Sequence, residues 1–308
     1  MALADLAEGA GDYVAASRSP RTLRAYELDW WDFTTWCKGQ RLKSLPAAPT
    51  TVALYITHLA DTKKPSTISR RLVSIAQAHK AARYPSPTTD ESVRLVHAGI
   101  RRTLGVAPRE VKPIVTEDLK QMVATCGSDL IGLRDRALLL LGFAAARRRS
   151  ELVALDVDDV TETKDGFVVT VRRSKTDPEG EGMKVGVPFG SYRETCPVRA
   201  VKAWKEAAGI EGGPLFRPVD RHGNLGTTRL SDKAVALVIK KRSELAGIDP
   251  SEVSGHSLRA GLATSAAAAG VPERVIANTT GHKSMTVLRR YIRSGELFKE
   301  NAAAAVGL

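Results

Sequence analysis

Apolar residues recur at helical spacing through the first hundred positions of the chain. Ser19-Pro20 is typical of a helix start, an N-cap residue followed by proline at the first helical position. The apolar stripe after it consists of Leu23, Tyr26, Trp30, Phe33 and Cys37. The same periodicity predicts three more helices, at 52–61, from Lys63 onward and at 91–103, the last ending at Gly105.

The pattern changes in the second part of the chain. Helices are predicted from Thr116 and over 130–146. β-Branched residues predict a strand at 167–171 and a returning strand at 184–189. Five further helices are predicted, at 197–208, 232–246, 257–269, 272–277 and 284–293. The predicted fold class is therefore mainly α (α+β), with one small antiparallel sheet.

The composition of one segment divides these predicted elements into two domains. Two prolines and mixed charges between Gly105 and Pro113 are typical of a linker. The predicted organisation is a flexible N-terminus at 1–17, a helical domain at 18–105, a linker at 106–113 and a second domain at 114–308. At 308 residues, the chain is long enough for each domain to bury its own core.

The net positive charge of the chain indicates that it binds a polyanion. The formal net charge is +12, and residues 1–110 carry 16 Lys/Arg against 10 Asp/Glu, so half of the excess lies in each part. An evenly divided positive charge is expected if both domains touch a nucleic acid. A soluble basic protein without such a partner would have a similar composition.

Several function classes find no support in the sequence. Three cysteines lie far apart and show neither a disulfide framework nor zinc spacing, which predicts a reducing, cytoplasmic location. No apolar stretch approaches the roughly 20 residues of a membrane span. The chain also lacks a phosphate-cradling Gly-Lys-Ser loop and an obvious metal cage, so we expect no cofactor and no metal.

The third predicted helix has a polar face suited to DNA. Its apolar side carries Ile68, Leu72, Ile75 and Ala76, and His79 lies near that stripe as a core histidine. The opposite face mixes phosphate-binding and base-reading side chains: Thr67, Arg70, Arg71, Ser74 and Gln77. A solvated surface would look the same.

Candidate chemistry lies in the second domain. Arg148 and Glu151 are three residues apart, as are His256 and Arg259, so each pair shares one side of a helical turn. Two arginines from separate elements can hold the non-bridging oxygens of a phosphate, and Tyr291 could then attack it. Each pair taken alone is more often structural.

Phosphoryl transfer to a tyrosine also needs proton handling. The phenol must lose a proton, and the leaving sugar oxygen must gain one. His256 is placed to help with the first proton. Lys175 could supply the second, but spacing does not distinguish it from Lys164 and Lys184.

Four segments carry a family resemblance. They are Ser19-Pro-Arg-Thr-Leu-Arg-Ala-Tyr26, Arg148-Arg-Ser-Glu-Leu-Val-Ala-Leu155, Ser254-Gly-His-Ser-Leu-Arg-Ala-Gly261 and Thr280-Gly-His282 with Tyr291 behind it. In this order and spacing they resemble the tyrosine recombinases, the phage integrase family that includes Cre, Xer and lambda recombinases. The resemblance covers nearly the whole chain.

The resemblance implies a role for each matching residue. Tyr291 would be the nucleophile that forms a 3′-phosphotyrosine link, and Arg148 and Arg259 would bind the scissile phosphate. His256 would assist proton transfer and Glu151 would support the site. Lys175 would be the general acid, and His282 would hydrogen-bond the phosphate. Arg148 is preferred to its neighbours because the family arginine lies three residues before the acidic one.

The resemblance also implies an architecture. A helical core-binding (SAM-like) domain and the catalytic domain would form a C-shaped clamp around duplex DNA, without ATP or metal. The third helix would enter a major groove from one side. Lysines of the helix over 232–246 would contact DNA from the other: Lys233, Lys240 and Lys241.

The resemblance also implies how the protein assembles, and two alternative functions stay open. The family works as a homotetramer on two double-stranded sites, each with inverted repeats, and the apolar tail at about 296–308 would dock on a neighbouring protomer or pack in cis. The short N-terminus favours a simple Cre-like or Xer-like enzyme, without an arm-type domain. Alternatives are a type IB topoisomerase-like nicking-closing enzyme and a DNA-binding protein that does not use its active site.

Overall fold

The chain forms two compact units, Met1–Arg109 and Glu110–Leu308. The structure, a computed structural model, describes residues 17–106, 111–172, 180–282 and 284–296, together with Tyr13 and Asp177. Lys175, most of the N-terminus and the tail beyond position 296 lie outside the described residues. Within the described ranges, no helix has the length and apolar character needed to cross a bilayer.

Between residues 17 and 106, the first unit contains four α-helices. They are α1 (Pro20–Gly39), α2 (Pro49–Ala60), α3 (Pro65–Ala81) and α4 (Glu91–Leu104). The Ser19 side chain caps α1 by accepting from the Thr22 backbone N–H at 3.2 Å, as its sequence predicts. Phe33, Tyr55, Ile68 and Ile75 are fully buried in the core of this unit.

The prediction of a DNA-facing side on α3 is wrong at two positions. Arg71 and Ser74 are buried, whereas Thr67 and Gln77 are partly exposed and Arg70 is exposed. Arg71 forms an ion pair with Asp32, and the Ser74 hydroxyl donates to the Tyr26 carbonyl at 2.7 Å. The reason is that α3 packs on α1, whose acidic residues cover this side of the helix.

His79 is a core histidine, as predicted. It is fully buried, its Nε2 accepts from the Ala47 backbone N–H at 2.9 Å, and its Nδ1 donates to the Ile75 carbonyl at 2.8 Å. The Nε2 bond therefore joins α3 to the segment before α2, whereas the Nδ1 bond lies within α3.

The second unit is built around a buried apolar helix. Its helices are α5 (Thr116–Ala124), α6 (Leu130–Ala144), α7 (Arg149–Ala154), α8 (Pro197–Ala207), α9 (Asp232–Leu245), α10 (Ser257–Ala268), α11 (Glu273–Thr280) and α12 (Met285–Glu296). The central helix, α6, contacts α5, α7, α8, α9 and α10. Because neighbours cover it on all sides, its sequence is apolar around most of its circumference.

A three-stranded antiparallel sheet interrupts these helices. The strands β1 (Val160–Thr163), β2 (Gly166–Val171) and β3 (Met183–Pro188) lie in that order, and Val169 pairs with both Val160 and Val185. This confirms the mainly α fold with one small antiparallel sheet. Strand β1 was not predicted, because Val-Thr-Glu-Thr is a polar edge with no buried side chain.

Candidate active site

The candidate site begins at the N-terminus of α7. Arg148 is the N-cap residue, and its backbone N–H donates to a Glu151 carboxylate oxygen at 3.1 Å. The second carboxylate oxygen accepts from the Arg148 guanidinium. Glu151 is 4% exposed and Arg148 is partly exposed. The predicted pairing of these two residues on one helical turn is therefore present, in the form of a capping box.

Arg259 enters the same place from α10. It is 5% exposed, and its Nη1 donates to the Ala146 carbonyl at 3.1 Å. Its Nη2 is also buried and has no hydrogen-bond partner within the described part of the chain. Burial lowers the pKa of Arg259 to about 10, with the nearby charge of Arg148 adding to the effect.

Arg147 is a member of the site that the sequence did not single out. It is buried, and its Nη2 donates to the Thr279 carbonyl at 2.6 Å. Burial lowers its pKa as well, and Glu151 opposes that shift. Arg149 instead points to Asp232, 3.4 Å away. The three consecutive arginine side chains therefore bind different partners: Thr279, Glu151 and Asp232. Their adjacency in the sequence does not reveal which arginine binds which partner.

His282 and Tyr291 complete the cluster. Their ring centroids are 6.1 Å apart. Thr264 of α10 donates to the Tyr291 backbone carbonyl at 3.3 Å, which ties α12 to α10. Burial, followed by the charges of Arg259, Arg148 and Arg147, lowers the pKa of His282 to about 4. His282 is therefore neutral at pH 7 in this arrangement.

Of the two residues predicted to transfer protons, the structure describes His256 but not Lys175. His256 is exposed at the N-terminus of α10, where its backbone N–H donates to the Ser254 hydroxyl at 3.1 Å. Lys175 lies outside the described residues. Met183, at the start of β3, lies close to the residue before His282, because a Cβ at Gly281 would be 3.2 Å from the Met183 sulfur.

The predicted DNA contacts of the second unit lie on α9. Lys233, Lys240 and Lys241 are all exposed there. Their ammonium groups are accessible to an anionic partner, as the sequence-based prediction requires.

Taken together, the cluster is suited to an anion with tetrahedral oxygens. Three guanidinium groups surround one carboxylate, so the local charge is positive, and a buried guanidinium nitrogen remains to be satisfied. A phosphate diester offers two non-bridging oxygens to such donors. Among the described residues, no group of three or more His, Cys, Asp or Glu side chains is placed to hold a metal ion.

Comparisons with known proteins agree with this chemistry. Residues 113–296 match the phage integrase family. An integrase/recombinase XerD homolog of Selenomonas ruminantium is 43% identical over 290 residues, which are 93% of this chain and 85% of that protein.

Solved structures show the same fold. XerH site-specific recombinase, bound to a palindromic difH substrate after cleavage, matches with a TM-score of 0.63 at 16% identity, over 85% of this chain and 73% of that chain. A lambda integrase tetramer bound to a Holliday junction matches with a TM-score of 0.58 at 16% identity, over 91% and 74% of the two chains.

Proposed function

The chain belongs to the phage integrase family of tyrosine recombinases, enzymes that break and rejoin DNA; from this premise we propose that it is a site-specific DNA recombinase. It cuts one strand through a 3′-phosphotyrosine link at Tyr291 and rejoins the strand to a new partner. The link conserves the energy of the phosphodiester, so the exchange needs no nucleotide hydrolysis.

The unsatisfied Nη2 of Arg259 is the observation that carries the proposal. A buried polar atom without a partner is unusual, and here it belongs to a guanidinium beside Arg148 and Tyr291. A phosphodiester oxygen would supply the missing acceptor. It would also replace the hydration that burial removes from the arginine.

In the proposed reaction, Arg148 and Arg259 hold the scissile phosphate and stabilise the charge that builds up on its oxygens. Glu151 fixes the Arg148 guanidinium from the protein side. The phenolate oxygen of Tyr291 forms a bond to phosphorus while the bond from phosphorus to the 5′ oxygen breaks. His256 assists the loss of the Tyr291 phenolic proton before that bond forms, and Lys175 donates a proton to the leaving oxygen.

DNA contacts of the two units are part of the same proposal. Lys233, Lys240 and Lys241 contact DNA from α9, with Lys233 as a candidate base reader. In the first unit the proposal keeps Thr67, Gln77 and Arg70, although two nitrogens of Arg70 already bind Asp29 at 2.7 and 2.9 Å. Arg71 and Ser74 are omitted because they are buried.

We further propose assembly as a homotetramer on two DNA sites with inverted repeats, with the two units of each protomer clamping the duplex. The palindromic substrate of XerH and the Holliday-junction tetramer of lambda integrase support this part. An inverted repeat gives two protomers equivalent half-sites, which matches the two-fold symmetry of a protein dimer.

Covalent capture tests the proposal. Tagged protein is recovered from cells under denaturing conditions, and the DNA joined to it is sequenced at the point of attachment. Wild type is expected to retain DNA at one sequence, and Tyr291→Phe is expected to retain none, because a phenyl ring has no nucleophilic oxygen. Tyr192→Phe is the matched control, since Tyr192 is an exposed tyrosine of the same unit and should leave the adduct intact.

Three outcomes decide between the candidate functions. Attachment at one sequence, lost only in Tyr291→Phe, supports the recombinase. Attachment scattered over unrelated sequences supports a nicking-closing enzyme of the topoisomerase type. If wild type binds DNA without any covalent product, the site is not used for strand cleavage and the proposal is wrong.

A further inference from the structure

The exposed side of α3 differs from the side that the sequence predicted, and its composition suits a DNA groove. Arg70, Val73, Gln77 and Lys80 follow one another at intervals of three or four residues, so they share one face of the helix. Val73 is 43% exposed there. A guanidinium and an amide bind base edges, and an exposed valine fits the methyl group of thymine but offers nothing to a phosphate. The face therefore carries side chains that read bases as well as a lysine for the backbone.

Arg70 is held in place on this face by a carboxylate from α1. Its Nε donates to Oδ2 of Asp29 at 2.7 Å, and its Nη2 donates to Oδ1 of the same carboxylate at 2.9 Å. Two parallel hydrogen bonds of this kind fix the plane and the direction of a guanidinium. Because the Arg70 side chain is 49% exposed, the fixed group remains accessible to a partner.

The hydrogen bonds to Asp29 use one edge of the guanidinium and leave another open. An arginine side chain has five N–H donors, and Asp29 binds the one on Nε and one on Nη2. The second Nη2 hydrogen and one Nη1 hydrogen lie side by side at the end of the group. Within the described part of the chain, no residue accepts from them. Such a pair of donors matches the O6 and N7 acceptors of guanine in the major groove.

On this basis, which rests on the proposed function above, we propose that Arg70 reads a guanine in each half-site and that Asp29 is the positioning residue that holds Arg70 for this contact. The guanidinium is oriented before DNA arrives, so little side-chain freedom is lost when the base contact forms. An arginine without Asp29 is free to turn toward a phosphate, where it carries no sequence information. The pair with Asp29 therefore contributes specificity.

Asp29 is itself firmly placed. It is 3% exposed, so its carboxylate is buried behind the Arg70 guanidinium and does not face solvent. Arg71 approaches the same carboxylate, with its Nε 3.6 Å from Oδ1, and also forms an ion pair with Asp32. Since two arginines share the charge of Asp29, the exposed face of α3 stays positive, as a surface that meets DNA requires.

Two other roles for Arg70 would use the same hydrogen bonds or the same exposure, and each has a different consequence. A base contact determines which sequence is bound. A phosphate contact changes the affinity for all sequences alike. An ion pair that only joins α1 to α3 changes the stability of the protein. Sequence preference, overall affinity and stability are therefore measured together.

Selection of binding sites from a pool of random DNA duplexes separates these roles. The full-length protein is incubated with the pool, bound duplexes are recovered over several rounds, and sequencing gives the base frequencies at each position. Wild type is expected to select a guanine at equivalent positions of the two half-sites. Arg70→Ala should lower the preference for that guanine about 5-fold to 150-fold and leave the preferences at other positions unchanged.

Lys80→Ala is the matched control, because it also removes one exposed cation from the same face of α3. It is expected to weaken the binding of all sequences alike, with unchanged base frequencies, since a lysine at the end of the helix contacts the backbone. The contrast between the two variants separates the reading of a base from the loss of a positive charge.

Asp29→Asn tests the positioning role. The amide keeps the shape of the carboxylate, but its NH2 group cannot accept from Arg70, so the guanidinium is no longer held by two bonds. The guanine preference should fall about 5-fold or more. The affinity for unrelated DNA should stay the same or rise, because a negative charge is removed. A merely structural ion pair gives the opposite result: weaker binding of every sequence and unchanged base frequencies.

Unchanged base frequencies in Arg70→Ala overturn the proposal, and so does a guanine preference that survives in full in Asp29→Asn. A wild type that selects no sequence overturns the site-specific function as well, whereas unchanged frequencies in Arg70→Ala overturn this inference alone. Thermal unfolding shows whether each variant is folded. If Asp29→Asn is not, nitrogen-15 NMR of wild type without DNA decides its role: the Arg70 Nε–H should be as rigid as the backbone, and a mobile group contradicts the proposal.

Discussion

Glu151 illustrates how single side chains control this site. It is a buried carboxylate among three arginines, and it binds both the backbone and the guanidinium of Arg148. Without a phosphate, it offsets part of a concentrated positive charge. Removing the Glu151 carboxylate would therefore lower the stability of the protein and disturb the alignment of Arg148.

Replacing the carboxylate tests that view. Glu151→Gln should reduce the free energy of unfolding by roughly 1–3 kcal/mol, because buried charges lose their partner. Urea unfolding measures the effect. Glu162→Gln is the matched control: the ion pair of Glu162 with Lys202 is about half exposed on both sides, so less than about 1 kcal/mol should be lost. Equal losses in the two variants would contradict the expectation.

At the scale of single residues, the sequence predicted correctly that Arg148 and Glu151 lie on one side of a helical turn. Arg148, Glu151 and Arg259 lie together at the starts of α7 and α10, whereas His256 is exposed and its role stays a prediction. The sequence-based prediction failed for Arg71 and Ser74, because periodicity identifies the face of a helix but not the element that covers it. Asp29 and Asp32 of α1 cover that face, and their distance along the chain hides the pairing.

At the scale of elements, the close approach of α10 to the segment before α5 positions the site. The Ile114 backbone N–H donates to the Ser257 carbonyl at 3.0 Å, at the start of the helix that carries Arg259. A Cβ at Gly261 would lie 1.7 Å from the Ile114 carbonyl oxygen. Only a residue without a side chain permits this contact.

The corresponding prediction is a large loss in Gly261→Ala. We expect the free energy of unfolding to fall by about 3 kcal/mol or more, since α10 must move away from Ile114. Gly99→Ala is the control, because Gly99 lies within a helix and a Cβ there meets nothing within 4 Å. Removing that glycine should raise stability by about 0.5–1 kcal/mol. Thermal unfolding of both variants measures the contrast, and a stable Gly261→Ala would refute it.

At the scale of the whole molecule, both units carry an excess of positive charge, as the proposed binding of DNA by both of them requires. The proposed tetramer adds contacts between protomers. The apolar, alanine-rich tail from Leu297 onward is the candidate for these contacts on sequence grounds, although it lies outside the described residues.

Deletion of the chain after Gly295 tests assembly. The truncated protein is expected to bind one DNA site with unchanged affinity, because its proposed DNA contacts remain. It should fail to join two sites, because the apolar link between protomers is gone. Native gels with one-site and two-site DNA distinguish these states. Normal tetramers from the truncated protein would show that the tail does not link protomers.

The sequence by itself determined most of the helices, the family and the order of the catalytic motifs, because helical periodicity and short-range spacing are local properties. Tertiary structure alone decided that Arg147 holds Thr279, that Arg259 retains an unsatisfied nitrogen, and that Thr280 pairs with His282. The physical reason is that these contacts depend on the direction of each side chain and on the burial that packing imposes. Burial, with the charges of three arginines, also lowers the pKa of His282 to about 4, which its sequence context does not predict.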